Sequence, residues 1–265
     1  MPPPVALTVA GSDNSAGAGI QADLKTFTAL GTYGLTAVTC VVAEVPGQVS
    51  TIQPIEPSNV AEQIRLSLEA FPVRALKTGM LYSSEIITVV CEALERLGEQ
   101  RPAVVVDPVM VATSGDSLLQ PDAIRLYRER LFPIADLITP NLDEAVVLLG
   151  EPITNLESMR RAGRTLTERY GTAFLLKGGH LKDAVATDLL FAEGRVLAFE
   201  APFVEGVATH GTGCSYSAAI TAGLARGLSL HAAVDEAKRF VTRAIGSFHR
   251  WERGGRVTDA LNHSA

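Results

Sequence analysis

The chain of 265 residues is 47% hydrophobic and 20% charged, as is typical of a globular protein with one large or two small domains. Its formal net charge of −6 argues against a nucleic-acid or acidic-membrane partner, since both are themselves negatively charged. Three cysteines without a CxxC spacing indicate neither a disulfide framework nor a zinc site. Because we find no membrane-length apolar run and no signal-peptide pattern, we expect a cytoplasmic protein.

Short, valine-rich apolar segments alternate with helical patterns along the chain. Strands are predicted at Val5–Ala10, Ala37–Ala43, Ala75–Lys77, Ala103–Val106, Leu137–Thr139, Ala173–Lys177 and Asp188–Phe191. Helices are predicted at Ile20–Leu30, Pro57–Glu69, Ser84–Leu97, Asp122–Leu131, Leu142–Leu149, Leu156–Tyr170, Cys214–Arg226 and Leu230–Trp251. A turn at Gly194 predicts a hairpin over Phe191–Phe203 near a sheet edge.

Several of these strands are continuously apolar, which is typical of a parallel sheet that is covered on both faces. We therefore predict one α/β domain over residues 1–265, with three layers and a doubly wound, mostly parallel central sheet between helices. In such sheets ligands bind beyond the carboxyl ends of the strands, so the residues that follow each strand are the candidate site residues.

A glycine-dense loop follows the first predicted strand. Its segment Gly17–Ala22 matches the G-x-G-x-x-A fingerprint of dinucleotide-binding proteins, with Glu44 about where their ribose-binding acid lies. In that fingerprint the first glycine turns directly after the strand, whereas six residues (11 to 16) intervene here. We therefore favour a wide loop that approaches a small ligand, with Asp13 and Asp23 as polar contacts. Taken alone, Asp23 is equally well explained as a solvated helix residue.

A second glycine-rich site, Gly211-Thr212-Gly213-Cys214, opens a long predicted helix. Small residues at a helix N-terminus leave N–H groups and the positive end of the dipole free for an anion. The chain contains no GxxxxGK[S/T] sequence, so a P-loop is excluded, and we expect this site to bind phosphate. We expect the dipole to lower the pKa of Cys214 and favour its thiolate. The alternative is a buried structural cysteine, as we predict for Cys40 and Cys91.

Polar residues also follow three other predicted strands. Asp107 directly follows a buried valine strand, and Lys177 ends another, where its cation would reach a phosphate. Asn141 and Glu144 share one face at the start of a helix and would hold Mg²⁺ through water. The simpler alternatives are an acid that complements the helix dipole for Glu144 and a snorkelling lysine for Lys177. His210, beside the anion site, is either a ligand contact or a structural histidine.

With these motifs together, the chain resembles the ribokinase-like superfamily and, more closely, the bacterial hydroxymethylpyrimidine/phosphomethylpyrimidine kinases of thiamin biosynthesis. The cysteine of the GTGC sequence is distinctive, because sugar kinases of the superfamily usually carry aspartate there. The resemblance rests on ALTVAGSDNSAGAGIQADLKTFTALG (6–31), KTGML (77–81), VVVDPVMVATSGDSLL (104–119), LITPNLDEA (137–145), LLKGGH (175–180) and THGTGCSYSAA (209–219).

The resemblance implies a kinase that uses ATP and Mg²⁺ in two steps. It phosphorylates the hydroxymethyl group of 4-amino-5-hydroxymethyl-2-methylpyrimidine and then the resulting monophosphate. By position, it implies Cys214 as the catalytic base and Gly211, Thr212 and Gly213 as the anion site. It places Gly11, Asp23, Glu44 and Met80 around the pyrimidine, Lys177, Asn141 and Thr209 near ATP, and Asp107 and Glu144 around Mg²⁺, which they would hold through water molecules. It also implies a homodimer.

Two departures from the family pattern stand out. Glu44 occupies a position where the family usually has glutamine, and an ionised carboxylate accepts hydrogen bonds but cannot donate them. We hypothesise that Glu44 narrows the acceptor range, costing phosphorylation of the hydroxymethyl compound while sparing the monophosphate step. The second departure is the segment WERGGRVTDALNHSA, which differs from a family GhGP-like sequence.

Other functions remain open at this point. A pyridoxal or pyridoxine kinase is the nearest alternative, because pyridoxal also carries a hydroxymethyl group on a six-membered aromatic ring. A sugar kinase is disfavoured by Cys214. Outside the kinases, the alternatives are a non-catalytic pyrimidine-binding protein and an NAD-dependent oxidoreductase.

Overall fold

The computed structural model describes residues 2–110, 121–179, 181, 185–204, 206–207 and 210–265. The main sheet of this part of the chain has nine strands. They are β1 Val5–Asp13, β2 Tyr33–Val45, β3 Gln48–Pro54, β4 Val73–Thr78, β5 Ala103–Val106, β6 Leu137–Ile138, β7 Ala173–Leu176, β8 Val185–Ala192 and β9 Arg195–Pro202. Their spatial order is β3-β2-β1-β4-β5-β6-β7-β8-β9.

The centre of the sheet is parallel and its two edges are antiparallel. Strands β2, β1, β4, β5, β6 and β7 pair in parallel, while β3 pairs antiparallel with β2, and β8 and β9 form an antiparallel hairpin beside β7. The strand order reverses between β1 and β4, and a crevice for ligands is expected at the carboxyl ends there. The predicted doubly wound, mostly parallel sheet and its edge hairpin are confirmed.

Helices cover both faces of the sheet. They are α1 Gly19–Ala29, α2 Pro57–Ala70, α3 Ser84–Glu95, α4 Pro121–Leu126, α5 Leu142–Leu149, α6 Leu156–Tyr170, α7 Thr212–Ala225 and α8 Leu230–Gly246. On β5, Val104 and Val106 pack with α2 to α6, whereas Val105 between them packs with α7 and α8. This alternation of buried apolar side chains gives the three layers. No described helix combines the length and the hydropathy that crossing a bilayer requires.

The prediction of a helix from Leu230 to Trp251 is wrong in its second part. Helix α8 ends at Gly246, and the chain continues as β10 His249–Arg253 and β11 Arg256–Ala260, an antiparallel pair apart from the main sheet. Apolar residues at 245, 248 and 251 continue the helical spacing, but Trp251 is exposed and has no core to cover. The turn is made by two glycines at 254 and 255, both with positive φ, which is a strong hairpin signal.

Strand β3 is absent from the predicted elements, and β1 and β2 are longer than predicted. A Pro46-Gly47 turn joins β2 to β3, and Gly47 has φ +80°. Strand β3 is mostly exposed at the sheet edge, so it lacks the apolar run that marks the central strands. Strand β1 continues to Asp13 after an irregularity between Ala10 and Ser12, which carries the glycine-dense loop into the crevice.

Candidate active site

A cavity of about 580 Å³ opens at the carboxyl ends of the parallel strands. Its walls come from the ends of β1, β4, β5 and β7, the start of α7, and the β2–β3 turn. Thr209 lies outside the described residues, and Asp23 is buried beneath the cavity. The other predicted site residues line it: Gly11, Glu44, Met80, Asp107, Asn141, Glu144, Lys177, Gly211, Thr212, Gly213 and Cys214.

The predicted anion site is the N-terminus of α7. Gly211 is the N-cap with φ +78°, and a side chain there would overlap the carbonyl oxygen of Gly17. The first turn of the helix leaves the N–H groups of Thr212, Gly213 and Cys214 without helical acceptors, and all three residues line the cavity. The loop at Gly211 packs against the loop at Gly17, and the N–H donors at the start of α7 face the cavity, where they can bind an anion.

Cys214 lies where these two loops meet. The backbone N–H of Gly19, the first residue of α1, lowers the pKa of the Cys214 thiol. Burial raises the pKa of the thiol to about 11; the Lys77 charge opposes this rise, while the charges of Asp23 and Asp107 add to it. The expectation of a thiolate is therefore wrong for the protein without substrates, because desolvation outweighs the helix dipole.

Lys77 and Asp23 form an ion pair under the cavity that the sequence did not reveal. The Lys77 ammonium is 2.8 Å from Asp23 Oδ1, both side chains are fully buried, and Thr8 Oγ1 donates to Asp23 Oδ2 at 2.6 Å. Asp23 was expected to contact the pyrimidine, but its oxygens are engaged by Lys77 and Thr8, whereas Lys77 itself lines the cavity. The available signal for this pair was a lysine directly after Ala75 and Leu76 in a predicted strand.

A second buried ion pair joins Asp107 to Lys177. Lys177 Nζ donates to Asp107 Oδ1 at 2.9 Å, and the hydroxyls of Thr139 and Ser217 donate to the same carboxylate at 3.2 Å. Burial opposes ionisation of Asp107, but the charges of Lys177 and Lys77 hold its pKa below the usual value. Asp107 is therefore an anion fixed at the end of β5, facing the start of α7.

Asn141 and Glu144 form a capping box at the start of α5. Asn141 Oδ1 accepts the N–H of Glu144, and Glu144 Oε2 accepts the N–H of Asn141, both at 2.8 Å. Both residues therefore have a structural role at the start of this helix, and both also line the cavity. Burial raises the pKa of Glu144 to about 7, the Lys177 charge opposes this, and the Asp107 charge adds to it.

Asp13, Glu44 and His210 meet at another part of the cavity. One ligating atom from each lies within 4.8 Å of the others, and His210 Nε2 is 3.5 Å from Asp13 Oδ2. Burial and the Asp13 charge raise the pKa of Glu44, and the His210 charge opposes the rise. Glu44 thus faces the cavity beside an aspartate whose own pKa is held low by hydrogen bonds from His210, Ser15 and Ala18 despite its burial.

The glycine-dense loop encloses a side chain of the protein itself. The Asp13 carboxylate accepts the N–H groups of Ser15, Gly17 and Ala18 at 2.6 to 3.1 Å. In a dinucleotide-binding protein such N–H groups are free to receive a pyrophosphate. Asp13 takes that place here, which is a physical reason against the NAD alternative.

Gly11 and Met80 are held by buried residues of β2. The Thr39 hydroxyl donates to the Met80 carbonyl at 2.7 Å, and a side chain at Gly11 would crowd the Cys40 sulfur. Burial raises the pKa of Cys40 to about 11 and that of Cys91 to about 12, as expected for structural cysteines.

The far end of the cavity contains a buried polar group that sequence reasoning missed. Asp188 accepts the Gly178 N–H at 2.9 Å and the Lys238 ammonium at 2.7 Å, and Lys238 also donates to the Ala186 carbonyl. Tyr216 lies beside them, where burial and the Asp188 charge raise its pKa well above the usual value. The available signal was a lysine on the apolar face of α8.

Comparison with known proteins identifies relatives over nearly the whole chain. A family model described as phosphomethylpyrimidine kinase matches residues 13–259. The hydroxymethylpyrimidine/phosphomethylpyrimidine kinase of Rhizobium meliloti is 43% identical, over 94% of this chain and 93% of its own length. Among solved structures, the phosphomethylpyrimidine kinase of Clostridium difficile superposes with a TM-score of 0.80 at 38% identity and covers 91% of this chain and 99% of its own. The pyridoxal kinase of Bacillus subtilis, solved as an ADP complex, superposes with a TM-score of 0.89 at 35% identity and covers 98% of this chain and 97% of its own.

Proposed function

The chain belongs to the phosphomethylpyrimidine kinase family, and on that premise we propose that it transfers phosphoryl groups from ATP to 4-amino-5-hydroxymethyl-2-methylpyrimidine, to its monophosphate, or to both. It is an ATP-dependent kinase with a ribokinase-like fold. The observation that carries the proposal is one cavity in which the N-terminus of α7 and the Asp107–Lys177 pair lie together with Cys214.

In the first step the hydroxymethyl oxygen forms a bond to the γ-phosphorus, and the bond from that phosphorus to the leaving oxygen of ADP breaks. We assign to Cys214 the removal of the hydroxyl proton, which a thiolate sulfur would accept. The N–H groups of Thr212, Gly213 and Cys214 would stabilise the negative charge on the transferred group, with Lys177 as a second source of positive charge.

In the second step the acceptor is a phosphate monoester whose nucleophilic oxygen is already anionic. Little proton transfer is then required, so Cys214 has a smaller role, whereas the anion site and Lys177 keep theirs. The same cavity therefore supports both steps, and only the first of them depends strongly on Cys214 as a base.

We propose Mg²⁺ as the cofactor, held through water by Asp107 and Glu144 with Asn141 beside them. Carboxylate and amide oxygens suit Mg²⁺, and Glu144 is close enough to Asp107 that the Asp107 charge adds to the effect of burial in raising the pKa of Glu144 to about 7. Both polar groups of the capping box already accept N–H groups, which favours water-mediated contact over direct ligation. When bound, Mg²⁺ would offset the charge of the ATP phosphates.

A pyridoxal kinase is the second candidate. It is favoured by the TM-score of 0.89 with the Bacillus subtilis pyridoxal kinase, a closer superposition than that with the Clostridium difficile enzyme. Sequence identity to the curated pyrimidine kinases is higher, which is why we place the pyrimidine first.

We further propose a homodimer and a cytoplasmic location. The dimer is supported by the edge strand β3 and by Val41, Val45 and Val49, which expose 38 to 47% of their surface on the β2–β3 hairpin. A cytoplasmic location would suit an enzyme that consumes ATP.

The test is ATP consumption with three purified acceptors in parallel: the hydroxymethylpyrimidine, its monophosphate and pyridoxal. A Lys177→Met variant prepared in the same way controls for contaminating kinases. We expect turnover of at least one pyrimidine; turnover of the monophosphate alone would identify Glu44 as a specificity determinant. Turnover of pyridoxal alone would replace the proposed substrate, and binding without product would support the non-catalytic alternative.

A further inference from the structure

The segment that follows α8 touches three separate parts of the active-site cavity. It comprises β10, β11 and the residues up to His263, and it includes the sequence that departs from the family pattern. Most of the hairpin is exposed and lies outside the main sheet, so burial of its side chains contributes little to the stability of the protein. The role of the segment must therefore be inferred from its contacts with other segments.

The first contact is with the β2–β3 turn. Arg256 donates from Nη2 to the Pro46 carbonyl at 2.7 Å and from Nη1 to Gln48 Oε1 at 3.4 Å. Gln48 lines the cavity, and Glu44 lies on β2 just before this turn. Arg256 thus holds the end of the strand pair that presents Glu44.

The second contact is with the segment before α7. Arg250 Nη2 donates to the Gly206 carbonyl at 2.6 Å, and Gly206 lines the cavity. Arg250 is itself oriented by two hydrogen bonds to the buried carboxylate of Asp259, at 2.7 and 2.8 Å, and by the Phe248 ring, 4.9 Å away. A guanidinium fixed in this way is a preorganised donor for the Gly206 carbonyl.

The third contact reaches the first turn of α7. His263 is 7% exposed, and its Nε2 lies 2.9 Å from the Ser215 hydroxyl, next to Cys214 in the chain. Burial lowers the pKa of His263 to about 4, so the ring is neutral near pH 7 and pairs with the hydroxyl without adding charge. One segment therefore contacts the β2–β3 turn, the segment before α7 and the helix that carries the anion site.

We propose that residues 249–263 form a positioning element of the active site and that Arg256 sets affinity for the acceptor by holding the β2–β3 turn. The inference rests on the proposed function, because it concerns the acceptor that the kinase uses. Arg256 contacts the turn next to Glu44 on β2, whereas Asn141 and Lys177, which the resemblance implies near ATP, follow β6 and β7 on the other side of the strand-order reversal. Loss of Arg256 is therefore expected to affect the acceptor and to leave ATP unaffected.

The test is the Arg256→Ala variant, assayed with whichever acceptor the unaltered protein turns over. We expect KM for the acceptor to rise about threefold to tenfold, as for loss of one or two partly exposed hydrogen bonds. The values of kcat and of KM for ATP should stay within about twofold, and the thermal midpoint should be unchanged within about 2 °C for a chain of this size. A merely structural role would lower stability or kcat without this selective effect on KM.

Two matched variants sharpen the test. Arg253→Ala removes the same charge from the same hairpin, but Arg253 is exposed and its side chain makes no hydrogen bond or ion pair with either cavity segment among the described residues, so KM should not change. Arg256→Lys keeps one donor for the Pro46 carbonyl and should restore part of the affinity. An acceptor KM in Arg256→Ala equal to that of Arg253→Ala would overturn the proposal.

Calorimetric titration with the acceptor alone gives a second readout that does not depend on turnover. In Arg256→Ala the dissociation constant of the acceptor should rise in proportion to KM. A normal titration in Arg256→Ala would contradict the inference. Failure of every acceptor to be phosphorylated by the unaltered protein would instead contradict the proposed function.

Discussion

At the residue scale, the chemistry depends on a cysteine whose environment opposes ionisation. Cys214 has the Lys77 ammonium and the Gly19 N–H in its favour, but burial and two carboxylates keep its pKa at about 11. A thiol can act as a base only when it is deprotonated. For Cys214 to serve as the base, it therefore needs a higher pH, or a more favourable charge from bound substrates, than a free thiol would need.

The first prediction concerns the Cys214→Ala variant. Phosphorylation of the hydroxymethyl acceptor should fall by about 10²-fold or more, as for loss of a general base, whereas phosphorylation of the monophosphate should change by only a few-fold. Initial rates with each purified acceptor measure both. Equal losses in the two steps would contradict the division of labour, and Cys91→Ala controls for the general effect of removing a buried thiol.

The pH dependence follows from the same group. Below its pKa, the deprotonated fraction of Cys214 rises about tenfold per pH unit. Between pH 7 and 9, the first step of the unaltered protein should therefore accelerate, and the monophosphate step should respond much less. A first step that is flat over this range would show that Cys214 does not act as the base from its free-state pKa.

The second prediction concerns Glu44, which stands where the family usually has glutamine. The Glu44→Gln variant should raise the ratio of hydroxymethyl phosphorylation to monophosphate phosphorylation, because the amide both donates and accepts hydrogen bonds. The raised pKa of Glu44 gives a pH test with a definite sign: below that pKa the carboxyl is neutral and can donate. Because the dependence on Cys214 is common to both proteins, the difference in this ratio between the unaltered protein and Glu44→Gln at the same pH should shrink as pH falls. An unchanged ratio in the variant would refute the hypothesis.

At the scale of secondary-structure elements, buried charge pairs connect the helices to the sheet. Asp23 of α1 binds Lys77 of β4 and Thr8 of β1, so one carboxylate joins three elements under the cavity. Such a pair contributes little net stability, but leaving one partner alone and buried is costly.

The third prediction is that Asp23→Ala lowers the free energy of unfolding by about 3 to 5 kcal/mol, because it leaves the Lys77 ammonium buried without a partner. The double variant Asp23→Leu, Lys77→Met should recover much of that loss. The exposed Arg65, which pairs with Glu62 and Glu69 on α2, is the matched control, and Arg65→Ala should lower stability far less, because solvent-exposed ion pairs contribute little. Denaturant unfolding measures all three, and a loss in Asp23→Ala no larger than that in Arg65→Ala would contradict the argument.

The fourth prediction separates backbone strain from loop contact at the ends of α7. Gly211→Ala would place its side chain against the Gly17 carbonyl, so the two glycine loops must separate and activity should fall by about 10²-fold or more. Gly227, after the same helix, has a similar φ of +87° but open space around its missing side chain. Gly227→Ala should therefore cost about 1 to 2 kcal/mol of stability and leave activity intact. Similar kinetics in the two variants would refute the role of the loop contact.

At the scale of the whole molecule, the proposed homodimer gives the fifth prediction. Light scattering should give a mass about twice the 28.1 kDa of one chain. Val41→Asp with Val45→Asp should favour the monomer, since charge on the β2–β3 hairpin opposes burial against a second copy. Val147, which is exposed on α5, provides the control variant Val147→Asp. A monomeric mass for the unaltered protein would exclude the dimer.

The sequence by itself determined the class of fold and most of the candidate site. Continuous apolar strands such as β5 can be buried only between two layers, and glycine-rich sequences after strands mark the carboxyl ends where the ligand crevice must lie. The exposed strands β3, β10 and β11 were missed because their sequences lack the apolar pattern of a buried strand. The Pro46-Gly47 and Gly254-Gly255 turns were nevertheless recognisable in the sequence.

Only the tertiary structure decided what the site residues do to one another. Asp23 and Lys77 are 54 positions apart, and the Asp107–Lys177 pair and the raised pKa of Cys214 likewise depend on neighbours brought from other elements. Desolvation and Coulomb interaction depend on distance in space and on burial, and sequence spacing specifies neither of them between distant elements. The residue types were therefore predictable, but their partners and charge states required the fold.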